Sequence, residues 1–131
     1  MLMKLMILTF LSVLFCQFFD NKIPYETQPL QQLYKAKGKA SYYANKFNKR
    51  KTSSGEIFYN DSLTAAHKTL PFGTILKVTN LANDSVVVVR VNDRLPKKSS
   101  RIIDLSKAAA RQLNFINKGL TQVYLEEISK K

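Results

Sequence analysis

Four consecutive valines at positions 86–89 place the strongest constraint on how this chain folds. Valine is stiff at χ1 and packs well on a pleated surface, so residues 85–92 are predicted to form a β-strand. Because the run is apolar without alternation, we expect both faces of this strand to be covered, as at the centre of a closed barrel.

Three other segments, residues 39–44, 75–80 and 122–128, are rich in Val, Ile, Tyr and Thr. Short runs of this composition, separated by turn residues, are typical of strands. The body of the chain is therefore predicted to be mainly β.

One helix is predicted over residues 105–113, since this segment contains three consecutive alanines and has Asp104 or Ser106 available as its N-cap. Residues 45–63, by contrast, show an irregular succession of Asn, Lys, Arg, Thr, Ser and Gly. Long loops on a small β domain are where functional groups tend to lie, so this segment is a candidate for the site.

Residues 1–19 have the pattern of a secretion leader, in which one cation, Lys4, precedes an apolar run over residues 5–15. An apolar run of about 7–15 residues is typical of a signal peptide, whereas a spanning helix needs about 20. The leader predicts an exported protein. Phe18 and Phe19 lengthen the run and keep a membrane anchor open as an alternative.

Cys16 is the only cysteine, and it lies where a lipoprotein leader is cut and acylated. Leu14 and Phe15 precede it in place of the small residues usual there, so lipidation at Cys16 and simple cleavage nearby both stay open. The rest of the chain has no cysteine for a disulfide, and its single histidine and lack of thiols exclude a zinc site. We expect no metal and no other cofactor.

The chain is strongly basic, with a formal net charge of +12 at pH 7. From residue 38 onward it carries 17 Lys and Arg against 7 Asp and Glu, so about +10 belongs to the domain itself. Such a field suits nucleic acid, anionic lipid or acidic wall polymers. Export argues against nucleic acid and favours the wall.

The organisation predicted from these features is a leader at residues 1–19, a flexible linker at 20–37 and a single domain at 38–131. Two prolines and several glutamines, with no helical or strand periodicity, indicate the linker. The domain is of ordinary size for one core and is expected to be a monomer.

Three polar side chains are candidates for chemistry, namely Glu56, His67 and Asp93. Each has a structural alternative: a solvated turn for Glu56, a hydrogen-bonded histidine at a barrel rim for His67, and a locally paired turn for Asp93. Glycosidic bond cleavage needs an acid and a second group that satisfies the developing oxocarbenium ion, and the two carboxyl groups fit those roles. Their separation does not follow from the sequence.

Seven blocks of the chain, in the family's order, resemble the rare lipoprotein A family. They are GKASYY at 38–43, TSSGE at 52–56, LTAAH at 63–67, LPFGT at 70–74, VTN at 78–80, VVRVNDR at 88–94 and RIIDLS at 101–106. The resemblance implies a six-stranded double-psi β-barrel with one or two short helices. It also implies an exported protein of the bacterial periplasm or cell envelope.

The activity that the resemblance implies is endolytic peptidoglycan lytic transglycosylation, which breaks the bond from N-acetylmuramic acid to N-acetylglucosamine and leaves 1,6-anhydro ends. Asp93 matches the family's catalytic aspartate and is expected to act as general acid and then base. Glu56 and His67 match its glutamate and histidine and are expected to position the sugar. The other residues expected to bind substrate are Tyr42, Tyr43, Thr52, Ser54, Tyr59, Asn92 and Arg94.

The chain departs from the family pattern at two positions. Leu95 replaces the glycine that often stands before Pro96, which is expected to reshape the loop beside Asp93. Tyr59 replaces a carboxylate that often follows the glutamate, and Asp61 is a candidate to serve instead. These departures keep open a second function, that of a non-catalytic, expansin-like module that binds peptidoglycan through the same groove.

Overall fold

The structure is a computed structural model, and it describes residues 30–128. The predicted leader, Cys16 and most of the predicted linker lie outside the described residues and stay predictions. Among the helices of the described part, none is long and apolar enough to cross a membrane.

Six strands and one α-helix form the domain, in the order β1 to β5, α1 and β6. Their bounds are β1 Lys35–Tyr42, β2 Thr64–His67, β3 Ile75–Asn80, β4 Val86–Arg94, β5 Arg101–Leu105, α1 Lys107–Gln112 and β6 Thr121–Glu127. A short 3-10 helix, Asn45–Phe47, follows β1.

The strands close into a barrel in the order β1, β5, β2, β4, β3, β6. The pairs β1/β5 and β2/β4 are parallel, and the other four pairs are antiparallel. Closure leaves no free sheet edge, which protects a small β domain from pairing with other chains. The predicted six-stranded barrel with one or two short helices is confirmed.

The barrel interior is filled by aliphatic side chains from all six strands. Alternate residues point inward, as the two-residue period of a strand requires. The buried core residues include Ala40, Ala65, Leu76, Val78, Val87, Val89, Val91, Ile103, Leu105, Val123 and Leu125, with Ala109, Ala110, Leu113 and Phe115 from α1 and the turn after it. Burying each large side chain contributes about 1.5–3 kcal/mol to folding.

The expectation that both faces of the valine run are covered is wrong. Val87 and Val89 are buried, but Val86 and Val88 are 44% and 45% exposed. Because β4 belongs to a single-layered barrel, its outer face meets solvent, and four valines in a row reflect β propensity rather than burial on both faces.

Two strands, β2 and β5, were not predicted from residue periodicity, because β2 is only four residues long and contains two alanines. The barrel also begins earlier than predicted, since β1 starts at Lys35 and not at residue 38. Tyr34, just before β1, is tied to β6, because its N–H donates to Glu127 Oε2 at 3.0 Å. Residues 35–37 of the predicted linker therefore belong to β1.

The helix is shorter than predicted, because Leu105 ends β5 and α1 spans Lys107–Gln112. Of the two candidate caps, Ser106 is the one observed, since its Oγ accepts a hydrogen bond from Ala109 N. Asp104 instead lies within β5, which leaves its carboxylate free for other contacts.

Candidate active site

A β-bulge in β4 sets the direction of the Asp93 side chain. Ala65 pairs with Val91 and Ala66 pairs with Asp93, so Asn92 is the extra residue in the parallel pair β2/β4. Bulges bend a strand and re-aim its side chains, and they are common beside functional sites. Asp93 consequently leaves the alternation of the valine run.

The Asp93 carboxylate accepts three hydrogen bonds. Its Oδ2 accepts from the Tyr43 hydroxyl at 2.5 Å, and its Oδ1 accepts from the N–H groups of Ser53 at 2.9 Å and Arg94 at 2.8 Å. Three elements meet there: the residue after β1, the loop 48–58 and β4 itself. Such convergence holds a carboxylate in one orientation before any ligand arrives.

The charged form of Asp93 is favoured in the free protein. Partial burial raises the pKa of this carboxyl, but the hydrogen bonds from Tyr43, Ser53 N and Arg94 N outweigh burial and hold the pKa below its ordinary value. Burial, together with the hydrogen bond to Asp93, raises the pKa of Tyr43, which stays a hydroxyl donor. The resting site therefore presents an ionised aspartate.

A second carboxylate, that of Asp104, lies on the same face of the barrel as Asp93. Ala66 of β2 pairs with Asp93 on one side and with Asp104 on the other. Residues directly opposite on neighbouring strands face the same side of a sheet, with roughly 4.8 Å between strands, so the two aspartate backbones are about 10 Å apart. The charge of Asp104 also contributes to the raised pKa of Tyr43.

Asp104 is held by two partners of its own. Arg101 donates from Nε to Oδ1 at 2.7 Å and from Nη2 to Oδ2 at 3.1 Å, and the Ser41 hydroxyl donates to Oδ1 at 2.5 Å. From the sequence, Asp104 was a candidate helix cap and part of the block at residues 101–106, and it was not among the predicted site residues. The signal that could have revealed it is a lone carboxylate between the apolar residues Ile103 and Leu105 of a barrel strand.

Glu56 is an exposed, ionised carboxylate. Arg90 grips it with two hydrogen bonds, Nη1 to Oε1 at 2.7 Å and Nη2 to Oε2 at 2.9 Å, and Asn92 Nδ2 donates to Oε2 at 3.3 Å. The hydrogen bonds from Arg90 hold the pKa of Glu56 below its ordinary value. The pair fastens the loop that carries Ser53 to β4, and sequence reasoning missed Arg90.

His67 is buried, with 3% of its surface exposed. Its ring is therefore not open to solvent, whereas a side chain that contacts the sugar would be. Its Nδ1 accepts from the N–H groups of Thr69 and Leu70, both at 3.1 Å, which leaves the proton on Nε2 for the Tyr34 hydroxyl at 3.1 Å. Burial, aided by the charges of Arg94 and Lys68, lowers the pKa of His67 to about 4.

The two adjacent tyrosines of β1 separate. Tyr42 packs against the core and donates its hydroxyl to Ile116 O at 2.8 Å, so its polar atom is already used inside the domain. Tyr43 faces Asp93, and its ring contacts Phe58 at 4.3 Å between centroids. Of this pair, predicted to bind substrate, Tyr43 lies at the site and Tyr42 is a core residue.

Thr52 and Ser54 form the turn that presents Ser53 N–H. The Thr52 hydroxyl is 2.9 Å from Ser54 Oγ and donates to Glu56 O at 3.0 Å, and Thr52 itself is buried. Gly55 has φ of +90°, a conformation that non-glycine residues rarely adopt, which explains the glycine before Glu56. These hydroxyls shape the loop.

Arg94 extends the site away from the bulge. Its guanidinium stacks on the exposed ring of Phe72, 4.1 Å from the centroid, and its Nη1 donates to His67 O at 3.3 Å. Asn92 is 2% exposed and bonds to Glu56 as described. His67 and Arg94 together brace the strand end behind Asp93.

The two departures from the family pattern have different outcomes. Leu95 is 4% exposed, and its N–H donates to His67 O at 3.3 Å, so its side chain is packed in the interior. Tyr59 is 49% exposed. Asp61, the candidate to replace the missing carboxylate, lines a separate cavity. The other residues of that cavity are not predicted site residues; they are Asn45, Asn48, Asn60, Lys107 and Arg111.

In the part of the chain that the structure describes, no three His, Cys, Asp or Glu side chains are placed to hold a metal ion. The described site is instead a pair of carboxylates on one barrel face, each held by hydrogen-bond donors. Such an arrangement suits proton transfer to and from a neutral substrate.

The model of the family described as "Lytic transglycolase" matches residues 35–125, which is more than half of the chain and includes both aspartates of the site. The chain belongs to this family. The resemblance to rare lipoprotein A is confirmed by curated relatives of the lytic transglycolase domain.

Two of these relatives are named endolytic peptidoglycan transglycosylase RlpA. The protein of Campylobacter jejuni is 57% identical over 93 residues, which are 71% of this chain and 34% of that protein. The protein of Neisseria meningitidis is 52% identical over 91 residues, which are 70% of this chain and 38% of that protein. The chain thus spans about a third of the length of the curated relatives it matches.

Among solved structures, the lytic transglycolase domain is similar to an expansin of Clavibacter michiganensis. The TM-score is 0.62 at 20% identity, over 75% of this chain and 52% of the expansin. At this identity the likeness concerns the fold, and it agrees with the six-stranded barrel described above.

Proposed function

We propose that this domain is an endolytic peptidoglycan lytic transglycosylase of the bacterial cell envelope, with Asp93 as general acid and then base. The observation that carries the proposal is the Asp93 carboxylate, fixed by three donors on a barrel face that also holds Asp104. The names of the two relatives support the same activity and substrate.

The reaction needs two proton transfers at Asp93, one to the leaving oxygen and one from the muramic 6-hydroxyl. Protonated Asp93 gives its proton to the glycosidic oxygen while the bond from muramic C1 to that oxygen breaks. The muramic 6-hydroxyl then attacks C1, and its proton passes to the Asp93 carboxylate. An anhydro ring forms, the leaving sugar keeps a hydroxyl, and no water is consumed.

The resting state of Asp93 is ionised, so the acid form must arise in the complex. A glycan strand that covers Asp93 removes water from the carboxylate, and burial raises the pKa of a carboxyl group. Any sugar hydroxyl that takes the hydrogen bond of Tyr43 acts in the same direction, because that bond stabilises the charge. Binding therefore prepares the catalytic proton.

Other residues act by position. We assign Glu56 to fastening the Ser53 loop through Arg90, and His67 to ordering the turn that carries Leu70 behind Arg94. Tyr59 and Phe72, which are 49% and 43% exposed, are the aromatic faces available for stacking on sugar rings.

A second candidate function is a non-catalytic module that grips peptidoglycan. One observation favours it: the lowered pKa of Asp93 leaves little of the acid form in the free protein. In that case the exposed aromatic groups and the basic surface account for binding, and Asp93 contributes hydrogen bonds to the glycan.

The deciding experiment incubates the full chain with purified sacculi, both intact and treated with an amidase, and identifies released muropeptides by mass spectrometry. Asp93→Asn is compared with Asp84→Asn, since Asp84 is an exposed carboxylate whose positive φ suits asparagine. We expect anhydro-muramic products from the unchanged chain and from Asp84→Asn.

Asp93→Asn is expected to release at least about 100-fold less product, because positioned acid and base groups contribute about 10²–10⁴ to a rate. Sedimentation with sacculi measures binding separately. If the unchanged chain sediments with both substrates but releases nothing from either, the binding module is the correct function and the transglycosylase proposal fails.

A further inference from the structure

The residue just before the barrel, Tyr34, is fixed to the fold at three points. Its N–H donates to Glu127 Oε2 at 3.0 Å, and its backbone oxygen accepts from the N–H of Glu127 at 2.8 Å. Its hydroxyl lies 3.1 Å from Nε2 of His67. Tyr34 belongs to the segment predicted as a flexible linker, and the proton transfers at Asp93 do not use it.

The ring of Tyr34 covers the imidazole of His67. The two ring centroids are 5.1 Å apart with an angle of 84° between the planes, which is an edge-to-face contact. His67 is 3% exposed although it is the last residue of β2. Because Tyr34 is partly exposed and His67 is not, the tyrosine ring forms part of the cover between His67 and solvent.

The hydrogen bonds of this histidine need a neutral imidazole. Nδ1 of His67 accepts from the N–H groups of Thr69 and Leu70, both at 3.1 Å, and the proton on Nε2 is donated to the Tyr34 hydroxyl. A proton on Nδ1 would remove that acceptor and release the turn that carries Thr69 and Leu70. Covering the ring prevents this change, because burial disfavours the charged form.

The groups that face His67 act in the same direction. Burial lowers the pKa of His67, and the positive charges of Arg94 on β4 and Lys68 in the turn after β2 lower it further, to about 4. Burial also raises the pKa of Tyr34, so its hydroxyl stays neutral. On β5 the register partner of His67 is Ile103, which carries no charge.

His67 also supports the end of β4. Its backbone oxygen accepts from Arg94 Nη1 at 3.3 Å, and the N–H of Arg94 donates to Asp93 Oδ1 at 2.8 Å. His67 and Arg94 are register partners in the pair β2/β4. Contacts therefore run without a gap from Tyr34, through His67 and Arg94, to the carboxylate of Asp93.

We propose that Tyr34 is a positioning residue for the transglycosylase reaction, which seals His67 from water and so keeps the end of β2 in the arrangement that supports Arg94 and Asp93. This inference rests on the proposed function. It makes the segment just before the barrel part of the support of the active site, and a domain that began at residue 38 would lack the seal.

NMR of the full chain tests the seal directly. His67 is the only histidine of the chain, so its imidazole signals are unambiguous, and a titration from pH 3.5 to pH 8 gives its pKa. We expect a pKa of about 4 in the unchanged chain and of about 6 in Tyr34→Ala, close to the ordinary value of 6.5.

Tyr34→Phe keeps the covering ring and removes only the hydroxyl. The pKa of His67 is expected to stay within about 0.5 of its value in the unchanged chain, because the ring is still sealed. The Nε2 proton signal is expected to move upfield, since its acceptor is gone. Tyr124→Ala is the matched control, because Tyr124 is a partly exposed tyrosine on β6, which does not neighbour β2. It is expected to leave the pKa of His67 unchanged.

Muropeptide release from amidase-treated sacculi, measured at pH 5 and pH 7.5, tests the link with the reaction. With a pKa of about 6 for His67, only about one tenth of the imidazole of Tyr34→Ala is neutral at pH 5. The activity of Tyr34→Ala relative to the unchanged chain is therefore expected to fall about tenfold from pH 7.5 to pH 5. The relative activity of Tyr34→Phe is expected to be the same at both pH values.

A His67 pKa near 4 in Tyr34→Ala would overturn the proposal, and so would a pKa near 6 in Tyr34→Phe, which decides the matter if Tyr34→Ala does not fold. A raised pKa in Tyr34→Ala with the same relative activity at both pH values would refute the positioning role. If the unchanged chain releases no product at either pH, the transglycosylase proposal fails, whereas the NMR titration still decides whether Tyr34 seals His67.

Discussion

Tyr43 and Asp93 are joined by a hydrogen bond of 2.5 Å from the tyrosine hydroxyl to Oδ2. Residue 43 follows the first strand and residue 93 lies near the end of the fourth, so the bond exists only because the sheet brings these two strand ends together. It is one of the interactions that hold the pKa of Asp93 below its ordinary value. The protonation of the proposed catalytic group therefore depends on a neighbour far away in sequence.

Tyr43→Phe tests this dependence. Without the hydroxyl, the charged form of Asp93 loses a donor and its pKa rises, so the alkaline limb of the pH profile of kcat/KM, where the acid form is lost, moves to higher pH. Muropeptide release measured from pH 4 to pH 8 reports the shift. Tyr42→Phe is the matched control, since its hydroxyl donates to Ile116 O; an equal shift in both variants contradicts the assignment.

Asp104→Asn is expected to lower anhydro-product formation by at least about tenfold, because Asp104 lies on the same face of the barrel as Asp93. Arg101→Gln removes the same ion pair but leaves the carboxylate, and so it separates catalysis from packing. We expect similar urea midpoints for the two variants and a much larger activity loss for Asp104→Asn. Equal activity losses would reduce Asp104 to a partner of Arg101.

Glu56→Gln and Arg90→Gln are expected to have equal effects, because the two side chains act as one clamp on the Ser53 loop. Each loosens the Ser53 N–H donor to Asp93, so the alkaline limb of the pH profile moves to higher pH, and the loosened loop lowers the rate severalfold. Kinetic assays with denuded glycan measure both. A much larger loss in Glu56→Gln than in Arg90→Gln would instead indicate direct contact between Glu56 and substrate.

The lowered pKa of His67 predicts that the fold is less stable in acid. Its folded pKa of about 4 lies below its ordinary value of 6.5, so the unfolded chain binds more protons between these pH values. Stability is fully present above about pH 6.5 and is lost as pH falls towards 4, by about 3 kcal/mol.

His67→Asn removes this titration while an amide oxygen can still accept from Thr69 N, and urea unfolding at pH 7 and pH 4.5 measures the difference. We expect the variant to lose less stability on acidification than the unchanged chain. An identical loss in both proteins would assign the acid sensitivity to other groups.

The valine run offers a test of packing. Val89→Ala is expected to lower the free energy of unfolding by about 2 kcal/mol, because Val89 is 1% exposed inside the barrel. Val88→Ala, on the outer face, is expected to cost less than about 0.5 kcal/mol. Urea unfolding of both variants measures this, and equal losses would mean that the outer face of β4 is covered in solution.

Residue patterns alone determined the β character of the domain, the bounds of β3 and the location of the helix. Local propensity accounts for this, since Val, Ile and Thr favour extended backbone and three alanines favour a helix. The order of the motif blocks also identified the family and made Asp93 a candidate, and the glycine of one block, Gly55, suits a turn with positive φ.

Only the tertiary structure decided which side chains meet. Asp93 and Asp104 become neighbours because both pair with Ala66, and a single-residue change of register would turn either away. The closed barrel also buries His67, packs Tyr42 against the core and exposes Val86 and Val88. Burial and cross-strand register are set by the whole sheet, and for that reason no local pattern in the sequence contains them.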